Sequence, residues 1–231
     1  MSTPGVGWEA PRNAMPALFE DAATAIARVR DGDIVMVGGF GLVGQPLRLV
    51  DALVACGRRE LTVISNNVGE PGRGLGVLLR EGRLRKAIGS FFTSNPEVAV
   101  ANREGRLEVQ LLPQGTLAES IRCGGAGIPA YFTPTAAGTL LAGGKEIRVF
   151  EDGRSYVLER ALHADVALVR AHRADRLGNL AYRKTARNFN PMMATAADLV
   201  LAEVDEVVEV GELDPDAIAT PHLYVDVVVG P

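Results

Sequence analysis

Apolar segments rich in β-branched residues alternate with amphipathic helical segments through the first half of the chain. Residues 34–37 are apolar throughout and end in a glycine pair, a pattern typical of a central strand buried on both faces. The pattern predicts strands at 34–37, 61–64, 84–88 and 107–112. Helices are predicted at 16–30, 46–56, 75–80, 96–103 and 117–122. Strands that alternate with helices indicate an α/β fold in which helices cover a parallel sheet.

The second half of the chain departs from this alternation. Glycine, proline and threonine dominate residues 124–138, which predicts a long loop, and such loops are usually functional in compact domains. The apolar runs 147–150 and 155–158 flank a polar turn containing Gly153 and predict an antiparallel hairpin. Later strands are predicted at 165–169, 199–204 and 224–229.

The domain organisation is predicted to be simple. Residues 16–231 should form one domain, because the chain has no internal repeat and no low-complexity linker. Residues 1–15 are rich in proline and glycine and are predicted to be a flexible N-terminal segment without the features of a signal peptide. No apolar run is long enough to span a membrane, so we expect a cytoplasmic protein without a membrane partner.

Composition narrows the possible partners. The net charge is −4 and Lys and Arg form no block, which argues against a nucleic-acid partner. Cys56 and Cys123 lie in no metal-ligand spacing. The three histidines, His163, His172 and His222, are grouped neither with each other nor with a Ser or Cys nucleophile. We therefore expect no metal site.

A glycine-rich segment after the first predicted strand suggests a ligand. Residues 39–44 fit G-x-G-x-x-G between a strand and a helix, the context of a dinucleotide fingerprint, so an NAD(P)-binding oxidoreductase domain of the Rossmann type is one hypothesis. Against it, the next strand runs into residues 65–67 (SNN) instead of an acid that would bind ribose. Pro46 also removes a backbone N–H from the helix N-terminus. The glycines could instead serve tight geometry alone.

The same region carries a family resemblance. Residues 31–46 (DGDIVMVGGFGLVGQP) closely resemble the signature of A subunits (alpha subunits) of the family I CoA-transferases. Further landmarks follow in family order: SNN at 65–67, EGR at 81–83, PQGTLAE at 113–119, GGAGIP at 124–129 and GNLAYRKTARNFNP at 178–191. The resemblance covers essentially everything after residues 1–16.

The resemblance implies a fold and a reaction. The implied fold is an α/β sandwich, a parallel sheet with helices on both faces and a smaller antiparallel part. The implied reaction transfers CoA from succinyl-CoA to a 3-oxo acid, either acetoacetate or 3-oxoadipate. In the family, the acyl-CoA is attacked by a glutamate in a Glu-Asn-Gly motif of the B subunit, which becomes a glutamyl-CoA thioester. This chain contains no Glu-Asn-Gly. The resemblance therefore implies a partner B subunit in an α2β2 assembly, acyl-CoA and 3-oxo acid as substrates, and no cofactor.

The resemblance also assigns roles to residues of this chain. Gln114 would stabilise an oxyanion with its side-chain amide, and Asn66 would position the substrate. CoA or its acyl group would approach the loop formed by Gly38, Gly39, Phe40, Gly41, Leu42, Val43 and Gly44. Structural alternatives remain for two of these residues, because Asn66 could be a turn former and Gln114 a helix cap.

Three further sets of residues have open roles. Arg183, Lys184, Arg187 and Asn188 would ordinarily form a solvated face, but the resemblance makes them candidates for a subunit interface or a carboxylate site. The acids Glu70, Glu81 and Glu97 are predicted to lie on loops or helices and not to be the nucleophile. Residues 91–97 (FFTSNPE) depart from the Gly-Glu-Asn-type segment of many members, which leaves the acyl substrate open.

Overall fold

The computed structural model describes residues 16–231, and the flexible segment predicted at 1–15 lies outside the described residues. The strands are β1 (Leu18–Glu20), β2 (Ile34–Val37), β3 (Leu61–Ile64), β4 (Leu84–Gly89), β5 (Glu108–Leu111), β6 (Ala130–Thr133), β7 (Ile147–Val149), β8 (Ser155–Arg160), β9 (Ala164–Asp175), β10 (Leu180–Ala181), β11 (Ala197–Val208), β12 (Ile218–Thr220) and β13 (Val227–Val229). The helices are α1 (Ala22–Ile26), α2 (Leu47–Cys56), α3 (Leu75–Arg80), α4 (Pro96–Arg103), α5 (Gln114–Gly125) and α6 (Asn190–Thr195), with short 3-10 turns at Leu140–Ala142, Lys184–Arg187, Pro215–Ala217 and His222–Tyr224.

A large sheet organises the chain, in the order β1-β13-β11-β9-β2-β3-β4-β5. Neighbouring strands along this path are parallel, and β10 adds antiparallel pairing to β9 and β12. β2 pairs with β9 only up to Leu168, so the second half of β9 and its partner β11 extend beyond the end of β2. This extension forms one wall of a cavity of about 370 Å³.

Helices cover the sheet on both faces, as predicted. Val35 and Val37 point into a core cluster that includes residues of α1 to α4, such as Leu49 and Leu78. Met36, which points to the opposite face because side chains alternate along a strand, packs in a second cluster with residues of α5 and α6. The apolar character of the whole β2 segment follows from this double burial.

A small antiparallel sheet completes the fold. β7 and β8 form the predicted hairpin, and β6 pairs with the other side of β8. Its aromatic residues pack edge to face, with ring centroids of Phe132 and Phe150 5.3 Å apart. The predicted antiparallel part is therefore confirmed, with one strand more than the sequence indicated.

Several predictions of elements are wrong in part. The segment 16–30 is not one helix, because residues 18–20 pair in parallel with β13 and Asp21 then caps α1 by accepting the Thr24 N–H at 2.8 Å. The predicted loop 124–138 contains the end of α5 and all of β6. The strands predicted at 165–169 and 199–204 are 12 residues long in the structure.

Within residues 16–231, no helix combines the length and apolar character needed to cross a bilayer.

Candidate active-site edge of the sheet

The predicted site residues follow strands at one edge of the large sheet. β2, β3, β4 and β5 are parallel neighbours, so the loops that follow them leave from the same carboxyl edge. The glycine loop, residues 38–44, follows β2; Asn66 follows β3 and Gln114 follows β5. α/β sheets generally bind ligands at this edge.

The glycine loop turns back on itself. The Phe40 N–H donates to the Val43 carbonyl at 3.0 Å, and the Val43 N–H donates to the Phe40 carbonyl at 3.2 Å. Gly39, Gly41 and Gly44 have φ of 119°, 61° and 71°, values that favour glycine. The turn leaves the side chains of Phe40 and Val43 48% and 53% exposed. Tight geometry therefore explains the glycines, and the tip remains accessible to a ligand or another chain.

Two asparagines hold the glycine loop in place. The Asn188 Oδ1 accepts the Gly39 N–H at 3.1 Å, and its Nδ2 donates to the Val43 carbonyl at 3.0 Å. The Asn190 Nδ2 donates to the Gly44 carbonyl at 3.0 Å from a fully buried side chain. We call Asn188 and Asn190 the asparagine clamp. Its bonds give Asn188 a positioning role, which the sequence pattern alone did not reveal.

A second glycine turn, which the sequence pattern did not indicate, follows β3. Glu70 and Arg73 form an antiparallel bridge like that of the first turn, and their side chains approach to 3.8 Å at an exposed tip. A Cβ on Gly74 would lie 2.3 Å from the Oε1 of the buried Gln45, so the two turns pack closely. The exposed Glu70–Arg73 pair agrees with the prediction that Glu70 is a loop acid.

Asn66 is buried in a hydrogen-bonded network that fixes its amide. Its Oδ1 accepts from Asn67 Nδ2 at 3.2 Å, and its Nδ2 donates to Ser90 Oγ at 2.9 Å. Asn67 forms a turn, because its Oδ1 accepts the Gly69 N–H at 2.9 Å. One N–H of the Asn66 amide is left over, in a fixed orientation. Ser90, which was not among the residues predicted from sequence, orients it together with Asn67.

Gln114 is the first residue of α5 and is exposed. Its side chain makes no hydrogen bond with another residue in the described range 16–231, so it does not cap the helix. The first backbone N–H groups of a helix have no intrahelical partner and carry the positive end of its dipole. Gln114 therefore presents a free amide beside a helix terminus that favours negative charge.

The N-terminus of α2 does not suit a dinucleotide. The carboxylate of Glu203, a buried residue of β11, accepts the backbone N–H groups of Arg48 and Leu49 at 2.8 and 3.2 Å. These are the donors that a pyrophosphate would need in a Rossmann domain. Because a buried carboxylate already occupies them, a pyrophosphate would meet like charge there, and the NAD(P) alternative is not supported.

The histidines lie apart from this edge or have local partners. His163 lies 4.0 Å from Asp198, and His222 Nδ1 lies 3.3 Å from Asn179 Oδ1. Among residues 16–231, no group of three or more His, Cys, Asp or Glu side chains could hold a metal ion.

Comparison with known proteins places the chain in a family. The model of the family described as Coenzyme A transferase matches residues 19–230. The chain belongs to this family. It is 52% identical over 213 residues to the A subunit of 3-oxoadipate CoA-transferase from Pseudomonas putida, covering 91% of this chain and 92% of that protein. It is 49% identical over 211 residues to the A subunit of succinyl-CoA:3-ketoacid coenzyme A transferase from Helicobacter pylori J99, covering 91% and 90%.

Solved structures of CoA-transferases share the fold. An acyl-CoA transferase apoenzyme from Escherichia coli O157:H7 superposes with a TM-score of 0.85 at 22% identity, covering 96% of this chain and 48% of that chain. At this identity the likeness shows the fold alone. It agrees with the parallel sheet, the helices on both faces and the small antiparallel sheet described above.

Proposed function

We propose that this chain is the A subunit of a heteromeric 3-oxoacid CoA-transferase that moves CoA from succinyl-CoA to a 3-oxo acid. The observation that carries the proposal is the identity of about half the residues to two CoA-transferase A subunits over nearly their whole length. The carboxyl edge supports it, because it offers amide donors on Asn66 and Gln114 beside an open glycine loop.

The chemistry divides between two chains. A glutamate carboxylate on the B chain attacks the thioester carbonyl of succinyl-CoA, expels CoA thiolate and forms a mixed anhydride. The thiolate then attacks the glutamyl carbonyl of the anhydride and releases succinate, which leaves a glutamyl-CoA thioester. The carboxylate of the 3-oxo acid reverses both steps. The acyl group stays activated, first as a thioester, then as an anhydride and then as a thioester again, so the reaction requires neither ATP nor a metal.

Each addition step places negative charge on a carbonyl oxygen, and this chain supplies donors for it. Gln114 can donate its Nε2 hydrogens to that oxygen, and α5 adds the field of its N-terminus. Asn66, held by Asn67 and Ser90, donates its remaining N–H to the acyl group or the acid. Neutral amides suit this role, because a cation would trap the attacking carboxylate as an ion pair.

The assembly and location are parts of the same proposal. We infer an α2β2 complex with the B subunit, located in the cytoplasm. The names of the relatives, each an A subunit, support a second kind of chain. Acetoacetate and 3-oxoadipate are the two acceptors to test, because relatives named for a 3-ketoacid and for 3-oxoadipate match this chain about equally.

Co-expression with the B subunit tests the function directly. The complex is expected to form acetoacetyl-CoA or 3-oxoadipyl-CoA from succinyl-CoA with parallel lines in double-reciprocal plots, the pattern of a ping-pong reaction. Each chain alone is expected to be inactive. If the complex transfers CoA to neither acceptor, the proposed reaction is wrong. Binding of NAD(P) by this chain would instead favour the oxidoreductase alternative.

A further inference from the structure

The small antiparallel sheet has a free edge at β7. β8 lies between β6 and β7, and no strand of residues 16–231 pairs with the outer side of β7. All three residues of β7 are exposed. The unpaired N–H and C=O groups of an edge strand can pair with a strand of another chain. β7 is therefore a candidate interaction surface, and the reaction steps described above do not use it.

The pairing of β7 with β8 determines which backbone groups of β7 are free. The Glu146 carbonyl accepts an N–H of β8 at 2.8 Å, and the Phe150 N–H donates to the Arg154 carbonyl at 3.2 Å. Hydrogen-bonded and non-hydrogen-bonded residues alternate along an antiparallel pair. Ile147 and Val149 are therefore non-hydrogen-bonded positions toward β8, and their N–H and C=O groups point to the free edge. Within residues 16–231 these groups have no hydrogen-bond partner.

Apolar side chains accompany this edge. Ile147 and Val149, two positions apart, project to the same face of the sheet, and they are 52% and 63% exposed. Leu140, in the 3-10 turn that precedes β7, is 99% exposed. Exposed apolar residues that group together mark protein contacts more often than sites for small polar ligands. The partner of this edge is therefore expected to be a protein strand.

The charges of β7 favour a second copy of the same strand. Glu146 and Arg148 share the other face, where the Glu146 Oε1 lies 3.0 Å from the Arg148 Nη2. The Arg148 guanidinium also lies over the Phe132 ring, 4.8 Å from its centroid. Edge strands that avoid pairing usually carry charges that repel a second strand. Here an acid and a base alternate, so two antiparallel copies can place each glutamate opposite an arginine.

One symmetric register combines the free backbone groups with these charges. With the two-fold axis at Ile147, the two Ile147 residues exchange their free N–H and C=O groups, and Glu146 of each copy lies opposite Arg148 of the other. An axis at Arg148 would place the two arginines opposite each other. An axis at Val149 would place Arg148 opposite Phe150 and pair it with no acid. Opposite charges stabilise a strand pair and like charges destabilise it, so the Ile147 register is favoured.

We propose that β7 is a contact between two copies of this chain, paired antiparallel about a two-fold axis at Ile147. The proposal rests on the function proposed above, and it assigns one contact between the two A subunits of the α2β2 complex. Such a contact is isologous, because the same surface of each copy meets itself. A pair of three-residue strands buries much less than the roughly 1,000 Å² expected of a stable interface. The contact therefore strengthens an assembly to which the B chains also contribute.

The test uses two charge reversals that repel themselves and attract each other. In the complex with the B subunit, Arg148→Glu places glutamates opposite each other, and Glu146→Arg places arginines opposite each other. For each variant, the Kd for separation of α2β2 into two A–B pairs is expected to rise about tenfold or more. Sedimentation over a dilution series measures this Kd.

Mixing the two variants separates a contact between copies from a contact within one chain. Both variants lose the Glu146–Arg148 pair inside the chain, but in the mixture the acids of one copy lie opposite the bases of the other. Equal amounts of the two complexes are expected to associate with a Kd within about threefold of the wild type. The recovery would also show that both variants are folded.

A matched control reverses a pair with the same spacing elsewhere. Glu104 and Arg106 form an exposed ion pair in the segment that precedes β5. Arg106→Glu and Glu104→Arg are expected to leave the Kd within about twofold, because isolated surface pairs contribute little.

Three results would overturn the contact: a wild-type complex that remains a single A–B pair, an unchanged Kd in both β7 variants, or no recovery in their mixture. Absence of CoA transfer by the wild-type complex would instead contradict the proposed function. The two failures are therefore distinguishable.

Discussion

Gln114 and Asn66 present their amides at the carboxyl edge in different ways. Asn66 is buried and its amide orientation is fixed by Asn67 and Ser90 before any ligand arrives. Gln114 is exposed and its amide has no partner among the described residues. Asn66 is therefore preorganised, whereas no residue of the described range fixes the orientation of the Gln114 amide.

Replacing Gln114 tests its part in the reaction. Gln114→Ala is expected to lower kcat of the complex by about 10²–10³, the usual effect of losing one oxyanion donor. Binding of CoA, measured by equilibrium titration, should survive, because the lost interaction forms mainly in the transition state. Gln110→Ala, on the strand just before Gln114, serves as the control. An unchanged kcat in Gln114→Ala would remove this residue from the mechanism.

Replacing Asn190 tests the asparagine clamp. Asn190→Ala leaves the Gly44 carbonyl and the Arg170 N–H without their partners at 3.0 and 2.9 Å. Each buried unpaired group costs about 1–3 kcal/mol, so the free energy of unfolding should fall by about 3 kcal/mol or more.

Urea unfolding of the isolated chain measures this change. Asn102→Ala, at an exposed position of α4, should shift stability by less than about 0.5 kcal/mol. Equal, small shifts in both variants would show that the clamp does not stabilise the loop.

The sequence predicted which residues lie at the candidate site, but not which residues hold them in place. Asn66 and Gln114 could be placed at the carboxyl edge because each follows a predicted strand of a parallel sheet. The clamp could not be predicted, because Asn190 lies 146 positions from the Gly44 carbonyl that it holds. Ser90 was missed for the same reason, since only the pairing of β3 with β4 brings it to Asn66.

At the scale of elements, the glycine loop is shaped by its neighbours as well as by its own residues. Gly41 and Gly44 have similar positive φ, at 61° and 71°. A Cβ on Gly41 would meet nothing within 4 Å, whereas one on Gly44 would lie 2.4 Å from the Ala186 carbonyl oxygen. A substitution at Gly41 therefore tests the backbone conformation alone. A substitution at Gly44 also tests the packing of the loop against the segment that carries the asparagine clamp.

Alanine at the two glycines is expected to have unequal effects. Gly41→Ala should destabilise the chain by about 1–2 kcal/mol, because alanine is strained at a positive φ even where its Cβ meets no other atom. Gly44→Ala adds a backbone clash and should lower the free energy of unfolding by at least about 2 kcal/mol more. Urea unfolding measures the stability of the two variants. Equal losses of unfolding free energy in both would show that the loop can move away from Ala186.

The bounds of an element could be predicted where the spacing of its apolar residues followed a single strand or helix period. β3, α3 and α4 have the predicted bounds, because short buried strands and amphipathic helices follow simple rules. β9 and β11 were predicted too short, because their second halves carry charged residues that pair across strands, such as Arg173 with Glu206 at 2.9 Å. The first strand was read as helix, because only its pairing with the distant β13 makes it a strand.

At the scale of the whole molecule, the candidate site is open on one side. Phe40, Val43 and Phe91 expose about half of their side chains on loops of the carboxyl edge, at 48%, 53% and 52%. Apolar loop tips around polar amides are typical of a surface that another chain covers. This agrees with the proposed reaction, in which the nucleophile is assigned to the B chain because this sequence has no Glu-Asn-Gly.

The most direct test of the proposal is to find which chain carries the covalent intermediate, because the proposal places the nucleophile on the B chain and not on this one. The complex with the B subunit is incubated with succinyl-CoA, and the intact mass of each chain is measured under conditions that preserve thioesters. The CoA adduct is expected on the B chain alone, and this chain should keep its unmodified mass. A CoA adduct on this chain, or turnover by this chain without its partner, would contradict the assignment of half an active site to it.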